Sequence, residues 1–296
     1  IVLIFIGTHA FAFIYTLGVH AMDFPKVMGA TVSDFGAVES KIGLLGALLL
    51  IMRAYSMGAG TFTGIEAVSN GLPILREPKV RTAKRTMRYM ALSLALTVFG
   101  LMIGYLFFKV VPVAGKTLNA VFLERMTGSW PGHLGTAFVL VTLVSEATLL
   151  FVAAQTGFLD GPRVLANMAL DRWFPTKFAM LSNRLVTQNG ILLMGLAALL
   201  TVVLSHGSVA FLVVLYSINV FVTFSLSQLG MVRHWWTNRT AVGHWWRKLL
   251  INGVGLGMCL FILTTVVILK FFEGGWITIL VTGSLIAAVT VIKRHY

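Results

Sequence analysis

The stretch Gly58-Ala-Gly-Thr-Phe-Thr-Gly-Ile-Glu-Ala-Val-Ser-Asn-Gly71 decides how this chain is read. It is a glycine-punctuated polar run with one carboxylate, Glu66, inside an otherwise apolar segment. An ionisable group at bilayer depth costs about 2.5 to 3.5 kcal/mol on insertion scales, so it faces a cavity or a partner and marks a functional site by default. The glycines add a second constraint. A helix broken at that depth exposes backbone N–H and C=O groups that lipid cannot satisfy, so the break persists only where protein, water or cargo pairs with them. Broken helices of this kind build the binding sites of secondary transporters.

The rest of the chain agrees with a membrane setting. Of 296 residues, 57% are hydrophobic and only 11% charged, and the mean hydropathy is +0.89. The expected fold class is all-α, a polytopic transmembrane helical bundle. A crossing helix needs roughly 20 mainly apolar residues, and candidate spans lie near 1–18, 42–74, 89–111, 135–157, 188–205, 209–230, 249–270 and 276–292. The span 42–74 is longer than one straight crossing requires and contains the glycine break. It is therefore read as a discontinuous helix.

The net charge of +13 raises the question of a nucleic-acid partner, and the placement of the charges answers it. Arg76, Lys79, Arg81, Lys84, Arg85 and Arg88 share one inter-span loop, and Arg163, Arg172, Lys177 and Arg184 follow the fourth span. Arg233, Arg239, Arg247 and Lys248 occupy the next such loop, and Lys293 and Arg294 end the chain. These alternate loops hold sixteen of the 23 basic residues. By the positive-inside rule they are cytoplasmic, and both chain ends with them. The clusters His234-Trp-Trp and His244-Trp-Trp read as interfacial tryptophans beside basic residues, and no nucleic acid is expected. The expected setting is the cell membrane, and the expected partner is the lipid bilayer.

Enzyme chemistry needs converging nucleophile, acid–base or metal groups, and the sequence has no HExxH, GxSxG or Gly-rich phosphate loop with its lysine. Cys259 is the only cysteine and sits in an apolar span, so no disulfide framework or zinc spacing is available. His20, His133 and His206 are scattered over outer loops. The expectation is a transport protein without a cofactor. A non-transporting sensor or scaffold with the same fold would read similarly.

Five ordered motifs carry a family resemblance. Thr63-Gly-Ile-Glu-Ala-Val-Ser-Asn-Gly-Leu-Pro73 with Arg76-Glu-Pro-Lys and Ala83-Lys-Arg-Thr-Met87 resembles the sixth helix and following loop of permeases in the amino acid-polyamine-organocation superfamily. Ala153-Ala-Gln-Thr-Gly-Phe158, Asp171-Arg-Trp-Phe-Pro175, Arg184-Leu-Val-Thr-Gln-Asn-Gly190 and Phe224-Ser-Leu-Ser-Gln-Leu-Gly-Met231 are similar to the same family in the same order. The nearest likeness is to KUP-type potassium permeases. The resemblance implies part of a LeuT-like inverted-repeat fold, with residues 1–296 one transporter domain holding helices five to twelve. It also implies that the first four helices of the same protein are missing, which fits a chain opening on Ile1 inside an apolar run. It further implies proton-coupled potassium uptake, with proton-coupled amino acid uptake as the alternative. Potassium and protons would then be transported ions, and a homodimer is left open.

Roles for the site residues follow. Unwinding around Gly58, Gly60 and Gly64 would present carbonyl oxygens to a dehydrated cation. Thr61 and Thr63 add hydroxyl oxygens, and the resemblance implies that Thr63 is a potassium ligand. Glu66, at the start of the second half-helix, is expected to couple protons, with Asn70 four residues on as its hydrogen-bonding partner. Other readings stay open beside these: Glu66 paired with Arg53, threonines bonded back to helix carbonyls, and glycines serving close helix packing. Glu146 is a second acid in an apolar span, where the related potassium permeases carry an uncharged residue. It is either a further proton site or a partner for Arg53.

Overall fold

A computed structural model describes residues 1–58, 68, 71–72, 75–131, 133–241 and 243–295. Every regular element among the described residues is helical. The helices are α1 (Val2–Val19), α2 (Phe24–Met57), α3 (Lys79–Phe107), α4 (Leu118–Thr127) and α5 (Leu134–Leu170), followed by α6 (Gln188–Leu204), α7 (Val209–Thr237), α8 (Trp245–Leu269) and α9 (Trp276–His295). Among the described residues, seven helical segments are long and apolar enough to cross a membrane, and α6 is a shorter apolar helix. They overlap the eight expected spans, with the expected break in 42–74 lying largely outside the described residues, and the chain is a multi-pass membrane protein.

Two regions expected as outer loops are helical instead. Residues 19–41 hold the first part of α2, which starts at Phe24 and continues to Gly43, where φ of 72° interrupts it. Pro25 stands in the first turn, where its missing N–H costs nothing, and Lys26, Met28, Ala30, Ala37, Glu39 and Lys41 are good helix formers among the residues that follow. Lys26, Asp34, Glu39 and Lys41 disguised this stretch, because hydropathy reports fit to lipid and not helicity. The region 112–134 holds α4. Its N-cap residue Thr117 accepts a hydrogen bond from the Ala120 amide at 3.2 Å. Ala120, Val121, Phe122, Leu123, Met126 and Thr127 are buried, which gives this short helix a core-facing side.

The chain divides into two compact units. In the first, residues 1–41 and 64–160, α1 packs along α3 and α4 packs against both. Its core gathers Ala12, Phe122, Leu123 and Met126, with Tyr15, Leu101, Tyr105 and Phe138 around them. Close approach depends on Gly104, where an added Cβ would lie 2.6 Å from the Phe122 ring. Arg125 Nη1 donates to the carbonyls of Phe108 at 2.9 Å and Lys109 at 2.5 Å, closing the end of α3. Trp130 Nε1 donates to the Tyr15 hydroxyl at 3.0 Å.

The second unit covers residues 42–63 and 161–296. There α7 and α8 bury Val214, Ile218, Phe221, Ile262 and Val266 between them. The turn Phe271–Gly275 joins α8 to α9. It requires Gly274, whose φ is 115° and whose added Cβ would lie 2.5 Å from the Phe211 ring. Thr282 Oγ1 donates to Asn219 Oδ1 at 2.8 Å, tying α9 to α7. The expected pairing of tryptophans with basic groups is also seen here. Arg239 lies over Trp236, Arg247 over Trp246, Lys248 over Trp235 and Lys293 over Trp173, each 4.6 to 5.3 Å from a ring centroid.

Candidate functional site

The glycine-rich run begins where α2 ends, at Met57. Gly60, Thr61, Thr63, Gly64, Glu66 and Asn70 lie outside the described residues. Of the sequence-derived site residues, Arg53 and Glu146 are described, and each belongs to a separate polar assembly.

Arg53 lies in α2, and its Nη2 donates to Glu273 Oε1 at 3.3 Å. The other oxygen of Glu273 accepts from Lys270 Nζ at 2.5 Å. The Lys270 side chain is 6% exposed. The backbone amides of Glu273 and Gly275 donate to the Lys270 carbonyl at 3.1 and 2.9 Å and fold the turn around this pair. An acid between two cations holds a fixed charge pattern. This assembly suits a structural clasp between α2 and the α8–α9 turn.

Glu146 lies in α5, and a histidine that the sequence reading passed over stands beside it. His9 Nε2 is 3.2 Å from Glu146 Oε1. The same oxygen accepts from Asn119 Nδ2 of α4 at 3.0 Å, and Asn119 Oδ1 accepts from the Tyr105 hydroxyl of α3. His9 Nδ1 completes the chain at 2.8 Å from the Phe5 carbonyl, one turn earlier in α1. Four helices thus converge on one carboxylate. The side chains of His9 and Glu146 are 6% and 16% exposed. The His9 ring also borders a cavity of about 360 Å³ lined by Ile6, Phe13, Thr97, Gly100 and Phe122.

One signal would have found His9, namely that an ionisable residue in the middle of an apolar span is as conspicuous as Glu146 itself. Asn119 had no comparable signal, because its segment reads as loop. Among the described residues no group of three or more His, Cys, Asp or Glu is placed to hold a metal ion.

Comparison with known proteins places the chain. The potassium transporter KimA of Bacillus subtilis (strain 168) is 29% identical over 249 residues, which cover 84% of this chain and 40% of that protein. The chain therefore spans well under half the length of this relative. A family profile described as amino acid permease matches residues 1–292, nearly the whole sequence. The chain belongs to the amino acid permease family.

Proposed function

We propose that this chain forms part of a secondary active permease that takes up potassium together with protons. The observation that carries the reading is the likeness to a potassium transporter over 84% of the chain. The chemistry of Gly58–Asn70 is compatible with it: neutral oxygens from Thr61, Thr63 and an unwound backbone suit a dehydrated cation, and Glu66 supplies a carboxylate that can carry a proton. Both chain ends face the cytoplasm in this reading, because the basic residues collect in alternate loops. A proton-coupled amino acid permease is the second reading. The description of the matching family favours it, and the N-terminus of a half-helix beginning near Thr63 would receive a carboxylate.

The test is growth and potassium uptake at limiting external potassium, in cells lacking their own uptake systems and expressing the native gene product or its Glu66→Gln variant. Rescue by the wild type alone supports proton-coupled potassium uptake with Glu66 in the mechanism. Absence of rescue by a wild-type protein present in the membrane overturns the potassium reading. Uptake of labelled amino acids then decides the second one.

A further inference from the structure

We propose that His9 and Glu146 form a proton-binding site, separate from the site expected around Glu66. The inference starts from His9 Nδ1. Its neighbour at 2.8 Å is the Phe5 carbonyl, which can only accept, so Nδ1 carries a hydrogen. In a neutral imidazole Nε2 is then the lone-pair nitrogen, and it faces Glu146 Oε1 at 3.2 Å. Two acceptors at that distance repel. The contact is attractive only with a proton between them, either as imidazolium with carboxylate or as imidazole with carboxylic acid. Moving between these forms breaks one N–H bond and makes one O–H bond, with no change in net charge. Releasing that proton to water leaves the pair with a charge of −1, and restoring it neutralises the pair. The site's ligand is a single proton.

The surroundings hold this arrangement in place. Tyr105 of α3 donates to Asn119 Oδ1, which orients the Asn119 amide so that its Nδ2 donates to Glu146. The other charged groups of α4 are engaged elsewhere. Lys116 Nζ is 2.7 Å from Glu124 Oε2, and Arg125 bonds carbonyls at the end of α3. The proton's counter-groups are therefore His9 of α1, Tyr105 of α3, Asn119 of α4 and Glu146 of α5. With little solvent at the pair, the −1 form is costly, so proton occupancy and the fit of α4 against α1 and α5 depend on each other. The transport consequence rests on the proton-coupled reading above. The proton site itself does not.

The experiment is pH-difference infrared spectroscopy of the native gene product in lipid vesicles, without cargo, alongside Glu146→Gln, His9→Gln and Asn119→Leu. In the wild type, a carboxylic acid C=O band is expected to rise and fall with pH, and Glu146→Gln, which keeps shape and a hydrogen bond, removes it. His9→Gln should displace its midpoint by about one pH unit or more, a tenfold change in proton affinity. Asn119→Leu should displace it toward alkaline pH, because a donor to the carboxylate is lost; this variant keeps the test open if Glu146→Gln is not recovered folded. Identical difference spectra for wild type and Glu146→Gln overturn the proposal, as does a midpoint unmoved in both His9→Gln and Asn119→Leu. A band that behaves as expected in a protein that moves neither potassium nor amino acids supports the proton site and overturns the permease reading instead.

Discussion

His9 and Glu146 meet with side chains 6% and 16% exposed, whereas Arg53 and Glu273 meet at 57% and 47%. Both are pairings of an acid with a base at similar distances, yet burial makes them different devices. The exposed pair leaves about half of each side chain's surface open, and exposed pairs contribute roughly 0 to 1 kcal/mol. At the buried pair neither charge stands comfortably alone. The lesson is that the proton, not the charge, is the shared quantity where solvent is excluded.

The comparison breaks most readily at Glu146. Glu146→Ala leaves His9 and Asn119 without their common partner, and a loss of about 3 to 5 kcal/mol is expected, the range for removing one partner of a buried pair. Glu146→Gln should cost far less, since an amide can still bond both neighbours. Thermal unfolding in detergent, followed by helical circular dichroism, measures both, and equal losses would show that the carboxylate is held by packing alone.

Next in size are the close approaches. Gly104→Ala places a Cβ 2.6 Å from Phe122, and overpacking of that kind costs about 1 to 3 kcal/mol. Phe122→Leu in the same chain should recover part of it. Gly274→Ala in the second unit combines a similar clash with a φ of 115° and should lose about as much. Wild-type melting of both glycine variants would show that the rings move aside freely.

Smaller again is the exposed clasp. A double-mutant cycle on Arg53→Gln and Glu273→Gln should give a coupling of about 1 kcal/mol or less, falling as salt is raised. A coupling as large as that of His9 and Glu146 would erase the distinction drawn from exposure. Smallest is Thr142→Val. The Thr142 hydroxyl donates to the Phe138 carbonyl of its own helix at 2.8 Å, so its loss should register at about 0.6 kcal/mol or less.

Much of the fold was legible because lipid imposes a length and an apolarity on each crossing. The eight spans follow from that requirement, and the tryptophans beside basic groups from the interface that borders it. What escaped were elements that lipid does not shape. The first part of α2 is helical but polar, and α4 earns its place through Phe122, Leu123 and Met126 packing on a core that a one-dimensional reading cannot see. The candidate site divides the same way. Glu146 and Arg53 stood out as charges in apolar sequence, but their partners come from other segments. Asn119 lies 27 residues from Glu146, and no local pattern links them. Thr142, Thr148 and Thr201 teach a related caution. Each bonds a carbonyl of its own helix, so a hydroxyl in a span is not by itself a cargo ligand.

The spacing of the two acid–base pairs along the chain also sets an order of events during synthesis. Arg53 and Glu273 are 220 residues apart, so this clasp closes only after nearly all of the second unit has left the ribosome. His9, Tyr105 and Asn119 all precede Glu146. When α5 reaches the translocon, the groups that will receive its acid have already been made, and the most awkward side chain of that span can enter the bilayer with its neighbours waiting.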